Sequence, residues 1–172
     1  WKSDGTEAGT VQVKRIHTGS ISSGSRPVTN VGGTLFFTAD NGANGRELWK
    51  SDGTEPGTVL VKDIWSGTGS GYPQWLTNVG GTLYFAADNG TNGYELWKSD
   101  GTDAGTIQVK NIAGGFTNSN PTDLVNMGGT LYFRATDGIN GQELWKSDGT
   151  EAGTVQVKDI HAGSANSSPQ KL

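Results

Sequence analysis

The 172-residue chain contains no cysteine. Disulfide bonds, thiolate metal sites and a cysteine nucleophile are therefore excluded, while the redox compartment stays open. The sequence also has no apolar run near the roughly 20 residues that span a bilayer, so we predict no membrane insertion. Basic residues are few and dispersed, and 13 lysines and arginines against 17 acidic residues give a net charge of −4. Because nucleic-acid binding needs a concentrated basic face, we predict no nucleic-acid partner.

What the sequence does have is a repeat. The octapeptide Glu-Leu-Trp-Lys-Ser-Asp-Gly-Thr occurs complete at 47–54, 95–102 and 143–150, and without its first two residues at 1–6. Its tryptophans lie 48 residues apart, at Trp1, Trp49, Trp97 and Trp145. A fixed period of this length is typical of proteins in which one supersecondary unit recurs. We therefore treat residues 1–172 as a single repeat domain with a partial unit at 1–26 and units at about 27–74, 75–122 and 123–170.

Each unit predicts four short strands. In one unit they are 75–79, 82–87, 94–99 and 107–112, which are rich in aromatic and β-branched residues or alternate in polarity. Glycine-rich turn clusters separate them, and Gly80-Gly81 predicts a two-residue hairpin turn. Four-stranded units repeated at about 40 to 50 residues are typical of β-propeller blades. We predict an all-β fold, a β-propeller built from four-stranded antiparallel blades of 48 residues, with a β-solenoid as the alternative.

The number of strands bears on assembly. If the strands of each unit are named A to D, the partial unit supplies C and D and three full sets follow, which predicts 14 strands or 3.5 blades. Half a ring would leave unpaired sheet edges, which favour association. We therefore expect either self-association, with two half-rings completing each other, or continuation into flanking repeats of a longer array.

The repeat resembles a known family. Glu-Leu-Trp-x-x-Asp-Gly-Thr, followed by Ala-Gly-Thr and Val-x-Val-Lys-Asp-Ile, is similar to the repeat of the ELWxxDGT family of large bacterial secreted or surface-associated proteins. The resemblance covers nearly the whole chain, with departures at Arg15, where Asp63 and Asp159 stand in other units, and at Pro56, which replaces an alanine. It implies a tandem, propeller-like protein with an extracellular or cell-surface location. It implies no defined chemistry.

The repeated ionisable residues favour a scaffold over a catalytic site. An aspartate that precedes Gly-Thr can accept hydrogen bonds from the amides of its own turn, which we expect for Asp4, Asp52, Asp100 and Asp148. For Glu47, Glu95 and Glu143 an ion pair or a backbone hydrogen bond is expected, because catalytic acids are not repeated in identical columns. His17 and His161 lack a nucleophile, phosphate loop or paired metal ligand nearby, so we expect them to be structural or exposed. We predict that the protein is not an enzyme. A loop-built active site is the weaker alternative, and Asp123 is one of the few carboxylates that differ between units.

Two loops have the oxygen-rich, glycine-bent character of calcium sites, at 40–47 and 88–95. The match to an EF-hand pattern is partial, since glycine occupies the third position. If calcium is a cofactor, we expect its ligands to include Asp40, Asn44, Asp88 and Asn92. Plain turns are the alternative.

The units differ most in the loops that lead from strand D to the next strand A, which are 17–27, 65–75, 113–123 and 161–171. Variable loops on a rigid scaffold often carry binding residues. We predict ligand contacts at Trp65, Tyr72, Trp75 and Phe116, whose aromatic faces could stack on sugar rings or partner side chains. The structural alternative has Trp75 buried at the start of strand A and Trp65 capping the unit. The leading hypothesis is a non-enzymatic extracellular module that gives a rigid structural or interaction surface for adhesion or matrix assembly. The alternative is a carbohydrate-binding propeller, so the expected partners are glycans or surface proteins.

Overall fold

The computed structural model describes residues 1–18, 23–24 and 26–169, with the backbone alone for 26 and 27. Within these ranges it has twelve β-strands and no helix, so no helix long and apolar enough to cross a membrane occurs there. The strands are β1 Arg26–Val31, β2 Thr34–Asp40, β3 Arg46–Ser51, β4 Val59–Lys62, β5 Gln74–Val79, β6 Thr82–Asp88, β7 Tyr94–Ser99, β8 Ile107–Lys110, β9 Thr122–Met127, β10 Thr130–Thr136, β11 Gln142–Ser147 and β12 Val155–Lys158.

The twelve strands form three separate antiparallel sheets, each a simple meander of four consecutive strands. The first sheet is β1-β2-β3-β4, the second β5-β6-β7-β8 and the third β9-β10-β11-β12. Strands three and four of every sheet meet through a bulge just before the motif tryptophan. The predicted all-β fold of four-stranded antiparallel units is confirmed.

Local chemistry sets the ends of the strands. Val79 lies opposite Thr82, and Gly80 and Gly81 between them have φ of 59° and 89°, so the predicted two-residue hairpin turn is confirmed. The last strand of the unit was predicted to run to residue 112, but β8 ends at Lys110. The amide of Ile112 leaves the sheet because it donates a 2.9 Å hydrogen bond to the carboxylate of Glu95.

Consecutive sheets pack face to face. The first strand of each sheet contacts the first strand of the next, where Thr29 Oγ1 donates to the carbonyl of Leu76 at 2.8 Å. Side chains from two sheets share each core. The first core joins Val31, Phe36, Leu48, Val61 and Ile64 of the first sheet to Leu76, Leu83, Phe85, Ala87 and Trp97 of the second. The second core repeats it one unit later with Val79, Tyr84, Leu96, Val109, Ile112, Leu124, Leu131, Phe133, Ala135 and Trp145.

Lysines at the sheet surface add polar links between units. Lys50 Nζ donates to the carbonyl of Gly101 at 2.8 Å, and Lys98 Nζ donates to the carbonyl of Gly149 at 2.9 Å. Each lysine therefore satisfies a carbonyl in the Asp-Gly-Thr turn of the following unit.

Residues 1–18 form a hairpin, here called the N-terminal hairpin, whose two arms share one isolated backbone bridge, between Lys2 and Val11, and a 2.7 Å hydrogen bond between the hydroxyls of Ser3 and Thr10. The prediction of two regular strands here, and hence of 14 in all, was wrong. Only Trp1, Lys2 and Ser3 correspond to strand C, whose counterpart in the next unit is the six-residue β3, and the backbone pairing here is limited to one bridge. The hairpin still packs on the first sheet, where Lys2 Nζ donates to the carbonyl of Gly53 at 3.1 Å and Ile16 contacts the Phe37–Trp49 cluster. Leu35, which it does not cover, is 40% exposed.

Candidate functional site

Three fully buried glutamates organise the loops that follow β4, β8 and β12, here called the D-to-A loops, at 63–73, 111–121 and 159–169. Glu47 accepts hydrogen bonds from the amides of Ile64 at 3.0 Å and Gly71 at 2.7 Å, and so ties both ends of its loop together. Glu95 and Glu143 repeat the arrangement in the next two units. The backbone hydrogen bond is thus realised, and among the described residues no ion pair joins these glutamates to the motif lysines.

The carboxylates of the three buried glutamates differ in one hydrogen-bond donor. Ser119 Oγ donates to Glu95 and Ser167 Oγ donates to Glu143, both at 2.6 Å, whereas Gly71 offers Glu47 only its amide.

Burial raises the pKa of Glu47 to about 7, against the lowering effect of the amides of Gly71, Ile64 and Trp65. Burial also raises the pKa of Glu95. For Glu143 burial again acts to raise the pKa, but hydrogen bonds from Ser167, Ile160 and His161 outweigh it, and the pKa is lowered. Because these groups are enclosed and their oxygens are occupied by the loop, they serve the scaffold.

The repeated aspartates have a similar role. Asp52 Oδ1 accepts from the hydroxyl of Thr54 at 2.7 Å and from its amide at 2.8 Å, and these hydrogen bonds lower the pKa of Asp52. A Cβ on Gly57 would lie 2.0 Å from the same oxygen, so only glycine fits there. The same turn occurs at Asp4, Asp100 and Asp148.

Trp65 packs between two glycines. A Cβ on Gly69 would lie 2.2 Å from its Cδ1, and a Cβ on Gly90 would lie 2.6 Å from its Nε1. The indole therefore links the 63–73 loop to the next sheet's 88–93 turn, while 39% of the residue stays exposed. His17 occupies the same column and approaches Gly42 in the same way, whereas His161 is exposed.

Tyr72 and Trp75 stand on left-handed backbone, with φ of 45° and 58°. Such conformations are strained for bulky residues and persist only when the surroundings hold them. Here the amide of Tyr72 donates to the carbonyl of Arg46, and the hydroxyl of Tyr94 donates to the carbonyl of Tyr72. Tyr72 is 50% exposed, and Trp75, which lies in β5, is 43% exposed, so the alternative of a buried Trp75 was wrong.

The same backbone carries other residues elsewhere in the repeat. Asn120 and Asp123 hold the positions of Tyr72 and Trp75 one unit later and share their left-handed φ. The strained segment is therefore a property of the scaffold, and the side chain that it presents varies.

Phe116 is the most exposed of the predicted ligand residues, at 81%. Its carbonyl lies near Gly93, where a Cβ would come within 3.0 Å. The 88–93 turn thus contacts Trp65 at Gly90 and the Phe116 loop at Gly93. The structure brings Trp65 and the backbone of Phe116 to one turn, with Tyr72 and Trp75 further along the chain in the loop and strand that precede it. The predicted loops 17–27 and 161–171 lie partly outside the described residues.

The proposed calcium ligands are engaged in the loops themselves. Asp40 and Asp88 each accept from an amide two residues further on, both at 2.7 Å. Asn44 donates to Asp63 at 2.9 Å, and Asn92 donates to the side chain of Gln108 at 2.8 Å. Across the described ranges, no group of three or more histidine, aspartate or glutamate side chains is placed to hold a metal ion. Calcium binding stays a prediction, tested by whether added calcium raises the melting temperature of the wild type but not of Asp88→Ala.

One ion pair was not predicted from the sequence. Arg134 Nη2 lies 2.6 Å from Asp123 Oδ2, and both side chains are largely buried. The signal was a paired change between units, because Asp123 stands at the position of Trp75 and Arg134 at the position of Ala86. Asp123 is thus committed to a partner on its own sheet.

Comparisons of the chain with protein-family models, with curated proteins and with solved structures found no match.

Proposed function

We propose that this chain is a non-enzymatic repeat module that holds an interaction surface on a rigid scaffold, for adhesion or matrix assembly in an extracellular or cell-surface bacterial protein. The observation that carries the proposal is that the repeated glutamates and aspartates accept hydrogen bonds from the backbone of loops and turns. The buried glutamates close the D-to-A loops, and the repeated aspartates close their own turns. Each such column is engaged in holding backbone, which is what a scaffold requires.

The arrangement of the sheets supports a β-propeller as the wider architecture. Blades of a propeller are four-stranded meanders that pack face to face around a common axis. The three sheets here have that connectivity, and the first strands of neighbouring sheets are in contact, as the inner strands of blades are.

The interaction surface is assigned to the D-to-A loops and the first residues of the strands that follow them, because the residue types that differ between units are exposed there. Tyr72, Trp75 and Phe116 present aromatic groups on backbone that buried hydrogen bonds fix in place. Such preorganised aromatic side chains gain contact area at low entropic cost.

Binding of the purified chain to immobilised bacterial surface proteins and glycans tests this proposal. We expect saturable binding that Trp75→Ala and Phe116→Ala weaken about tenfold, the scale of losing one good aromatic contact. Ile107→Ala is the matched control, since Ile107 is 45% exposed but lies at the start of β8, outside the D-to-A loops. Binding that survives both loop variants would contradict the assigned surface, and turnover of hydrolase substrates by the wild type would contradict the absence of catalysis.

Carbohydrate binding is the second candidate. It is favoured by the exposed faces of Tyr72 and Trp75, since aromatic rings stack on sugar rings. Trp65 contributes less face to a ligand, because glycines cover it on two sides. On a glycan array, binding by the wild type that is lost in a Trp65→Ala, Trp75→Ala double variant would select this candidate over a protein partner.

A further inference from the structure

The third sheet exposes a face that the other two sheets bury. Met127, Val157 and Ile160 on this face are 61%, 45% and 55% exposed. The same positions in the first and second sheets are at most 9% exposed, namely Val31, Val61, Ile64, Val79, Val109 and Ile112. Tyr132 and Leu144 complete the set, which is here called the open face.

In the first and second sheets this face is covered by the next unit of the repeat. Trp97 packs on the Phe36–Leu48 side of the first sheet, and Trp145 packs on the Tyr84–Leu96 side of the second. The open face therefore has the composition of a surface that binds a unit of this repeat. Because a repeat unit covers the same face in the first two sheets, the occupant expected here is also a unit of this repeat.

Within the described chain, two lysines at the open face lack the hydrogen-bond acceptors that their counterparts in the other units have. Lys50 and Lys98 donate to turn carbonyls of the following unit, and Lys110 donates to the carbonyl of Thr154 at 2.9 Å. Their counterparts Lys146 and Lys158 are exposed and make no hydrogen bond within the described part of the chain.

The N-terminal hairpin carries the complementary groups. Trp1 is 81% exposed, whereas the other three motif tryptophans are buried. Gly5 and Thr10 hold the positions of Gly149 and Thr154, whose carbonyls accept from the lysines of the preceding unit. The hairpin has the same Asp4-Thr6 turn as the other units, with a 2.9 Å hydrogen bond, and its opposite side already packs on the first sheet.

We propose that the open face binds the N-terminal hairpin of a second copy of this chain. Trp1 of one copy packs against Tyr132 and Leu144 of the other, Lys146 donates to the carbonyl of Gly5, and Lys158 donates to that of Thr10. The pairing also has complementary charge, because Lys158 meets Glu7, just as Lys62 pairs with Asp103 at 3.3 Å within the chain. It rests on the proposed function as an interaction module and names a partner for it.

This contact is heterologous, since it joins different surfaces of the two copies. Such head-to-tail contacts close into rings or extend into filaments according to the rotation that they impose. A symmetric contact of two open faces would instead be isologous, and the two arrangements respond differently to mutation.

Light scattering after size exclusion provides the first test. The wild type should pass from 18.0 kDa at low concentration to multiples of that mass as the concentration rises from about 1 to 300 μM, by mass action. Val157→Lys on the open face and Trp1→Lys on the hairpin should each abolish the rise. Both positions are exposed in the single chain, so circular dichroism and the melting temperature should match the wild type. Ile139→Lys is the control for adding a charge at an exposed apolar residue elsewhere.

Mixing the two variants gives the decisive result. Each retains the surface that the other has lost, so head-to-tail binding predicts a 1:1 complex in the mixture, although neither variant associates alone. Association of Trp1→Lys by itself would overturn the proposal in favour of paired open faces, and a wild type that stays monomeric to the highest concentration would overturn it altogether. Glycan or surface-protein binding by Val157→Lys is expected to stay unchanged, so loss of assembly is distinguishable from failure of the proposed function.

Discussion

Replacing Gly71 with serine should stabilise the protein, because it supplies the donor that Glu47 lacks. The other two buried glutamates each accept a 2.6 Å hydrogen bond from a serine hydroxyl at the equivalent position. Gly71 does not have a left-handed φ, so its backbone accepts a side chain. A Cβ there would lie 2.8 Å from Glu47 Oε2, 3.0 Å from Ile64 Cβ and 3.2 Å from the backbone carbonyl oxygen of Asp88, and the last two contacts are tight but not overlapping. The carboxylate of Glu47 must therefore shift by a few tenths of an ångström toward the geometry that Glu95 already has.

The size of the expected change in unfolding free energy follows from the charge of the Glu47 carboxylate. A hydrogen bond to a charged group contributes about 1.5–3 kcal/mol, from which the small shift of Glu47 subtracts. Raising the pKa of Glu47 from 4.5 to about 7 corresponds to about 3 kcal/mol, which is the scale of the cost of holding this buried carboxylate in its charged form. We expect Gly71→Ser to exceed Gly71→Ala by about 1–2 kcal/mol in unfolding free energy at pH 8.

The contribution of Glu47 to folding stability changes with pH in a definite direction. Because the folded-state pKa of Glu47 is raised, its contribution is fully present below pH 4.5 and is lost as the pH rises through about 7. The serine hydroxyl lowers that pKa, so the advantage of Gly71→Ser over Gly71→Ala should grow between pH 5 and pH 8. Gly71→Ala is the matched control, since it adds the same Cβ and the same loss of unfolded-state freedom without a donor.

Urea unfolding followed by tryptophan fluorescence measures these differences, and about 1 kcal/mol should also appear as a 2–4 °C change in melting temperature. Two results would refute the reasoning. Equal stability of the serine and alanine variants at pH 8 would mean that the hydroxyl does not reach the carboxylate. A difference that shrinks as the pH rises would mean that Glu47 is not the group that titrates.

Two further predictions concern the turns and the links between units. Gly105→Ala should destabilise the protein by about 2 kcal/mol or more, because its Cβ would lie 2.1 Å from Asp100 Oδ1, and in the Asp100→Ala background the penalty should fall by at least about 1 kcal/mol. Additive effects on thermal unfolding would contradict this coupling. Lys98→Met should cost about 1 kcal/mol through its 2.9 Å hydrogen bond, whereas the exposed Lys146→Met should cost less than about 0.5 kcal/mol when the chain is monomeric. Equal losses would show that the link is not specific to buried junctions.

Much of the fold was predictable because the repeat restates its pattern. Turn glycines and the alternation of apolar residues place the strands to within about two residues, and the 48-residue period gives the four-stranded unit. What failed was the assumption that a partial unit behaves as a whole one. The N-terminal hairpin has all four residues of strand D but only three of strand C, Trp1 to Ser3, and a single backbone bridge, between Lys2 and Val11, joins them.

The candidate site was less predictable, because its geometry depends on contacts distant in sequence. Aromatic residues in a variable loop indicated where to look, but nothing in the sequence shows that Gly69 and Gly90 enclose Trp65 or that Trp75 stands on left-handed backbone. The role of Glu47 as the anchor of residues 17 to 24 positions later was likewise hidden, since the acceptor and its donors share no local motif.

The last sheet shows how far one unit depends on the next. Glu95 and Glu143 accept from equivalent donors, a serine hydroxyl and the amides that flank it, yet burial raises the pKa of Glu95 while these hydrogen bonds prevail and lower the pKa of Glu143. With the donors matched, the difference lies in the depth of apolar surroundings, because the second sheet has a neighbour on both faces and the third has one. Covering the open face with a second copy would thicken those surroundings at Ile160, whose amide bonds Glu143. Head-to-tail assembly should then raise the pKa of Glu143 toward that of Glu95, so that association becomes weaker as the pH rises.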